Sequence, residues 1–134
     1  MELRHTVEVD HSTAGSSDDY ALMSVSVSWR GDVLLMSVFG EIDLVTATQL
    51  SDSITAALGN DPRGFVVDLS GVHFLASAGM SVLMDAAEHA GRSGTRYAVV
   101  AYGAATARPM ALVGVGDVLP VFDRVDDAVA ACRV

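Results

Sequence analysis

The chain has 134 residues, 51% of them apolar, which suits one compact domain with a buried core and argues against wholesale disorder. Eight basic residues, all arginine, face seventeen acidic ones, and the net charge of −9 disfavours nucleic acid and anionic lipid as partners. The single cysteine, Cys132, excludes an internal disulfide and a cysteine-based zinc site, and no apolar run reaches the ~18 residues of a membrane span.

From Met1 to Glu8 there is no apolar leader core, so export by a signal peptide is not expected and a reducing cytoplasm fits. Residues 1–20 read as a flexible N-terminal tail, marked by the small polar run from His11 to Asp19. The folded domain is expected over 21–134. From Met23, Val25, Val27 and Trp29 alternate with serines, the period of a half-buried strand. Gly31-Asp32 predicts a turn into a second strand, Val33 to Phe39, closed by Gly40-Glu41-Ile42-Asp43. A helix fits Leu44 to Leu58, where Ala47, Leu50, Ile54, Ala57 and Leu58 share one face.

Phe65 to Leu69 is short and almost wholly apolar, as a central strand should be. A second helix starts near Ser77, with Gly91 suited to the position just past its end. Arg96 to Tyr102 predicts a strand, Thr106 to Val113 a short helix, and Leu119 to Phe122 a brief strand. A last helix, with Asp123 as its cap, carries Val125, Ala128, Val129 and Cys132 on one face. The order β-β-α-β-α-β-α-β-α implies an α/β fold: a mixed, mostly parallel sheet with helices packed on it.

Chemistry narrows to one place. The four histidines (5, 11, 73 and 89) lack metal-ligand spacing, and without lysine there is no phosphate-cradling Gly-x-x-x-x-Gly-Lys loop. No metal or cofactor is expected. The segment Leu75-Ala76-Ser77-Ala78-Gly79 stands at a strand-to-helix junction. A hydrolase elbow needs glycine where Leu75 stands and a partnered histidine, so a nucleophilic serine is disfavoured. Two readings of Ser77 stay open: a helix N-cap, or an acceptor of phosphate whose product the helix N-terminus tolerates.

Gly40-Glu41-Ile42-Asp43-Leu44, the run from Val67 to Leu75 (Val-Asp-Leu-Ser-Gly-Val-His-Phe-Leu) and the run from Ala76 to Leu83 resemble the STAS domains of bacterial anti-sigma factor antagonists. The resemblance covers about residues 23–132. It implies a protein that binds an anti-sigma factor with serine-kinase activity and so releases a sigma factor. Phosphorylation of the serine matching Ser77 breaks that complex, and a phosphatase restores it; the ATP belongs to the partner. It further implies that Asp43, Asp68, Ala76, Ala78 and Gly79 border the partner-binding surface. Asp43 as a helix cap and Asp68 as a turn residue are the alternatives. The family pattern has Asp-Ser-Ser or Asp-Ser-Thr where this chain has Ala76-Ser77-Ala78, which predicts slow phosphorylation. Other STAS proteins are non-phosphorylated subunits of lipid-transport or stressosome-type complexes, the alternative role.

Overall fold

The structure is a computed structural model that describes residues 6–10 and 23–133. Six strands form one sheet in sequence order: β1 (Thr6–Asp10), β2 (Met23–Arg30), β3 (Val33–Ile42), β4 (Gly64–Leu75), β5 (Arg96–Val100) and β6 (Val121–Phe122). The first three run antiparallel as meander neighbours; β3 through β6 are parallel. Among the described residues four helices connect and close them: α1 (Leu44–Leu58), α2 (Ser77–Arg92), α3 (Ala107–Leu112) and α4 (Val125–Arg133), with one 3-10 turn at Val115–Asp117. The mixed, mostly parallel α/β architecture is the one expected, and α1 has the predicted bounds.

The two sheet faces are unequal. Alternate residues Leu34, Met36, Val38 and Ile42 of β3 join Leu50, Ile54, Leu83 and Met110 in the larger core, so α1, α2 and α3 cover one face. Val33, Leu35, Val66, Ala98 and Val100 meet Ala128, Val129 and Cys132 of α4 on the other. Burial pushes the Cys132 thiol up, as an inert core cysteine requires. Tyr97 stacks on Phe65 with ring centroids 6.1 Å apart, and its buried hydroxyl donates to the Leu83 carbonyl at 2.9 Å, tying α2 to β5.

Several expectations are corrected. Residues 6–10, assigned to a tail, form β1, paired with Ser24 to Ser28; Thr-Val-Glu-Val-Asp has strand alternation, too short to stand out beside the polar run after it. Residues 11–20 of the expected tail lie outside the described residues. Gly91 is inside α2; the helix ends at Arg92 with Ser93 as its cap, and Gly94 takes the left-handed φ of +74°. Ala128 N–H bonds to the Arg124 carbonyl, so Arg124 rather than Asp123 stands at the cap position of α4.

The largest revision concerns β4, which continues six residues past Leu69. Asp68 pairs with Ser37 on one side and Val100 on the other; beyond it only β3 remains as a partner. The register shifts twice here, with extra residues on β4 between Asp68 and Gly71 and between Val72 and Phe74. Such bulges bend a strand and re-aim its side chains. Gly71 is required by this bend: a Cβ there would stand 2.5 Å from Cδ2 of Phe39, whose ring lies against the bare backbone.

Candidate functional site

The ends of β3 and β4 are neighbours, with Glu41 opposite Phe74 and Ile42 opposite Leu75. Ala76 N–H extends the pairing by donating to the Ile42 carbonyl at 2.8 Å. Each strand then turns directly into a helix. Asp43 and Ala76-Ser77 are thereby brought side by side, with the N-termini of α1 and α2 facing the same way.

These two termini are finished differently. Asp43 caps α1: its carboxylate accepts from the N–H groups of Val45 and Thr46, both at 2.9 Å, while Asp43 N–H donates to the Thr46 hydroxyl at 2.9 Å. That reciprocal box satisfies the exposed donors of the first turn. The Thr46 N–H chiefly holds the Asp43 carboxyl below its ordinary range; burial pushes the other way, and the Thr46 hydroxyl and Val45 N–H add to the lowering. Because the folded value lies below the unfolded one, this contribution is present above about pH 4 and is lost as pH falls through the folded value. Asp43→Asn, which keeps an acceptor, should therefore show less acid loss than wild type. Asp43→Ala should cost about 1 kcal/mol at pH 7. Urea midpoints at pH 7 and pH 3 check both; an unchanged gap between wild type and Asp43→Asn contradicts the assignment.

At α2 the cap position is Ala76, with φ −83° and ψ 165° and no side-chain bond. Ser77 is the first helical residue, not the cap, so that reading is corrected: its hydroxyl is exposed and bonded to nothing among the described residues. First-turn N–H groups of Ser77 and Ala78 have no intrahelical acceptor, and the turn carries no acidic residue. The positive end of a 16-residue helix is thus open beside a free hydroxyl. An aspartate at position 76 would have the backbone angles to cap it. Ala76→Asp should raise stability by about 1 kcal/mol, read as a higher urea midpoint at unchanged slope; no rise would mean that the helix start is already satisfied.

The remaining expected site residues divide. Ala78 is half-buried beside Ser77. Gly79 is buried and offers no contact surface; a Cβ there would stand 2.5 Å from Ile42 Cγ2 and 2.8 Å from Leu75 Cδ1, so its role is to let α2 pack on the ends of β3 and β4. Asp68 is not brought to the site. It lies seven residues before the end of β4, roughly 20 Å away along the strand, and accepts from Ser70 N–H at 2.9 Å and the Ser70 hydroxyl at 2.6 Å. The turn reading is corrected as well: Asp68 lies inside β4, just before its first register shift.

Residue patterning had not singled out the apolar rim. Among the described residues, the exposed large apolar side chains are Phe39, Leu44, Val45, Phe74, Tyr102, Leu112, Val113 and Val118. All of them lie near the C-terminal ends of β3 and β4 or in the connections that follow β3 and β5. Leu44 (78% exposed) and Val45 (69%) open α1, and Phe74 (50%) stands three residues before Ser77. Apolar surface gathered at one edge marks an interaction site. The signal was present in Leu44-Val45, which fall off the Ala47-Leu50-Ile54 core face of the helix.

Among the described residues no group of three His, Cys, Asp or Glu side chains could hold a metal, and no helix is long and apolar enough to cross a membrane. The STAS domain family profile matches residues 24–128. The anti-sigma-F factor antagonist RsfB of Mycobacterium tuberculosis is 36% identical over 111 residues, 83% of this chain and 90% of RsfB. RsfA of the same organism, also an anti-sigma-F factor antagonist, is 30% identical over 81% of this chain and 87% of its own. The crystal structure of an anti-sigma factor antagonist from Mycobacterium paratuberculosis is similar at TM-score 0.79 and 39% identity, across 84% of this chain and 95% of that one.

Proposed function

The chain belongs to the STAS domain family, and from that premise we propose that it is an anti-sigma factor antagonist, a regulatory binding protein of the bacterial cytoplasm rather than an enzyme. In the unphosphorylated state it binds an anti-sigma factor with serine-kinase activity through the edge formed by Asp43, Ala76, Ser77 and Ala78, and so frees a sigma factor. The kinase brings ATP and transfers phosphate to Ser77; a phosphatase reverses the transfer. This chain contributes the acceptor and the surface and holds no cofactor.

One observation carries the reading: a free, exposed hydroxyl at the uncapped start of α2, beside the apolar residues Leu44, Val45 and Phe74. An apolar rim supplies binding area, and its centre is the place where added charge does most to oppose burial. The relatives named as anti-sigma-F factor antagonists support the same role. Titrating this protein into a preformed anti-sigma–sigma complex should displace the sigma factor stoichiometrically, followed by size-exclusion chromatography. Absence of a complex with every anti-sigma factor of its organism would overturn the proposal. In that event a subunit role in a lipid-transport or stressosome-type complex, consistent with Ala76 and Ala78 flanking Ser77, becomes the better account.

A further inference from the structure

The edge opposite Ser77 has the reverse character. There β3, β4 and β5 begin, and α2 and α4 end, with β4 alone separating the two edges by roughly 35 Å. Five of the eight arginines gather there: Arg30 closes β2, Arg63 precedes β4, Arg92 ends α2, Arg96 opens β5 and Arg133 ends α4. Against them stand Asp32, Asp61 and Glu88, so among the described residues this edge is net positive in a chain of net charge −9.

Between these element ends lies a cavity of about 420 Å³, within the range of small-molecule sites. Arg63, Arg96, Ser93 and Gly94 line it, Asp61 stands on its wall, and Cys132 closes it on the α4 side. The fold fixes the two guanidinium-bearing residues as neighbours: Arg96 is paired in register with Gly64, and its N–H donates to the Arg63 carbonyl at 3.0 Å. The buried Thr95 hydroxyl donates to the Pro62 carbonyl at 3.1 Å and holds both loops together. Arg63 has only a 3.9 Å contact to Asp32, with both side chains exposed, a pair of little strength. Among the described residues ion pairs involve Arg63 and Arg92 alone, so Arg96 has no carboxylate in contact, and Asp61 is the acidic residue on the cavity wall.

We infer that this cavity binds a phosphomonoester, whose dianionic phosphate is held between Arg63 and Arg96 and whose organic part occupies the remaining volume. Guanidinium groups match phosphate oxygens in two-point hydrogen bonds, and Ser93 adds a hydroxyl donor. The cavity is too large for one oxyanion alone and too polar in its lining for an apolar ligand. At physiological salt the acidic residues on distant faces are screened beyond about 8 Å, so the balance of Arg63 and Arg96 against Asp61 sets the field.

The test titrates the intact protein with inorganic phosphate and with phenyl phosphate at fixed ionic strength, following backbone amide shifts by NMR. Saturable shifts are expected at Ser93, Gly94 and Arg96 and not at residues 76–80. Arg96→Gln and Arg63→Gln, both at exposed positions, should each weaken binding about tenfold, while Arg92→Gln, outside the cavity, should not. Tighter binding of phenyl phosphate assigns an organic phosphate as ligand. Equal binding of both assigns free phosphate and overturns the role of the remaining volume. Shifts no larger than those with chloride, or equal losses in all three variants, would overturn the site. The protein need not bind any anti-sigma factor for this result, so it stands or falls separately from the proposed function.

Discussion

Phosphorylated at Ser77, the protein should bind its anti-sigma factor at least about a hundredfold more weakly, while its urea midpoint stays near that of the unmodified form. The two halves of this expectation have different physical origins. In the free protein the phosphate meets unsatisfied N–H groups and the positive end of α2, which stabilise an anion by about 0.3–1 kcal/mol. In the complex, about −1.5 to −2 charges must lose water beside Leu44, Val45 and Phe74. An unmatched charge buried there costs several kcal/mol, and each 1.4 kcal/mol is about tenfold in affinity. Ser77→Ala should bind as tightly as wild type and resist release by ATP. Ser77→Asp, with less charge and fewer oxygens, should fall between. Calorimetric titration of all four forms against the anti-sigma factor decides it. Phosphate mapped to another residue, or equal affinity across the series, would sink the switch. The double variant Ala76→Asp, Ala78→Ser should be phosphorylated faster than wild type, since it restores the polar flanks that the family pattern carries.

Gly79→Val should be the most damaging single change in the site, lowering stability by about 3 kcal/mol, with Gly79→Ala costing about 1 kcal/mol. The Cβ of either residue falls within 2.8 Å of both Ile42 and Leu75, and both neighbours are buried, so side chains of the core must shift to admit it. Overpacking of this kind costs typically 1–3 kcal/mol. Alanine recovers part of it, because it favours the helix over glycine by about 1 kcal/mol; valine brings two more methyl groups and less helix preference. The stability loss should come with weaker partner binding, since a displaced α2 moves Ser77 away from the start of α1. Urea unfolding of Gly79→Ala with and without Ile42→Ala isolates the contact: removing Cγ2 should make the glycine replacement cheaper. Equal costs in the two backgrounds would show that the strain is taken up elsewhere.

How far the sequence disclosed this arrangement depends on the range of the force involved. α1 was legible to the residue because its apolar face and its Asp43 cap are local signals. The core of β4, Phe65 to Leu69, was legible for the same reason, as an apolar run with turn residues after it. Its extension to Leu75 was not: Ser70 and Gly71 look like a turn, and only pairing with β3 and a ring from Phe39 make them strand. Tertiary contact overrode local propensity there. Ser77 was placed at the start of α2 correctly, but the cap fell one residue earlier, on Ala76, a type that no capping rule selects. The exposed rim was the least legible part, since leucine and phenylalanine in a pattern are read inward until neighbouring elements are known.

The unequal pairing along β4 has a consequence for how the proposed switch would operate. Up to Asp68 the strand is clamped on both sides; from Leu69 to Leu75 it is held by β3 alone and kinked twice. Ser77 therefore hangs from an edge stretch whose last two pairs, Glu41 with Phe74 and Ile42 with Leu75, form a two-stranded ribbon, since β2 pairs with β3 only as far as Gly40. The opening free energy of such a segment is set by few cross-strand bonds and lies below that of global unfolding. A partner can deform the acceptor loop, or a kinase can draw it into an active site, as a fluctuation confined to that ribbon. The clamped half, with Phe65, Val66 and Val67 fully buried, keeps the molecule folded throughout.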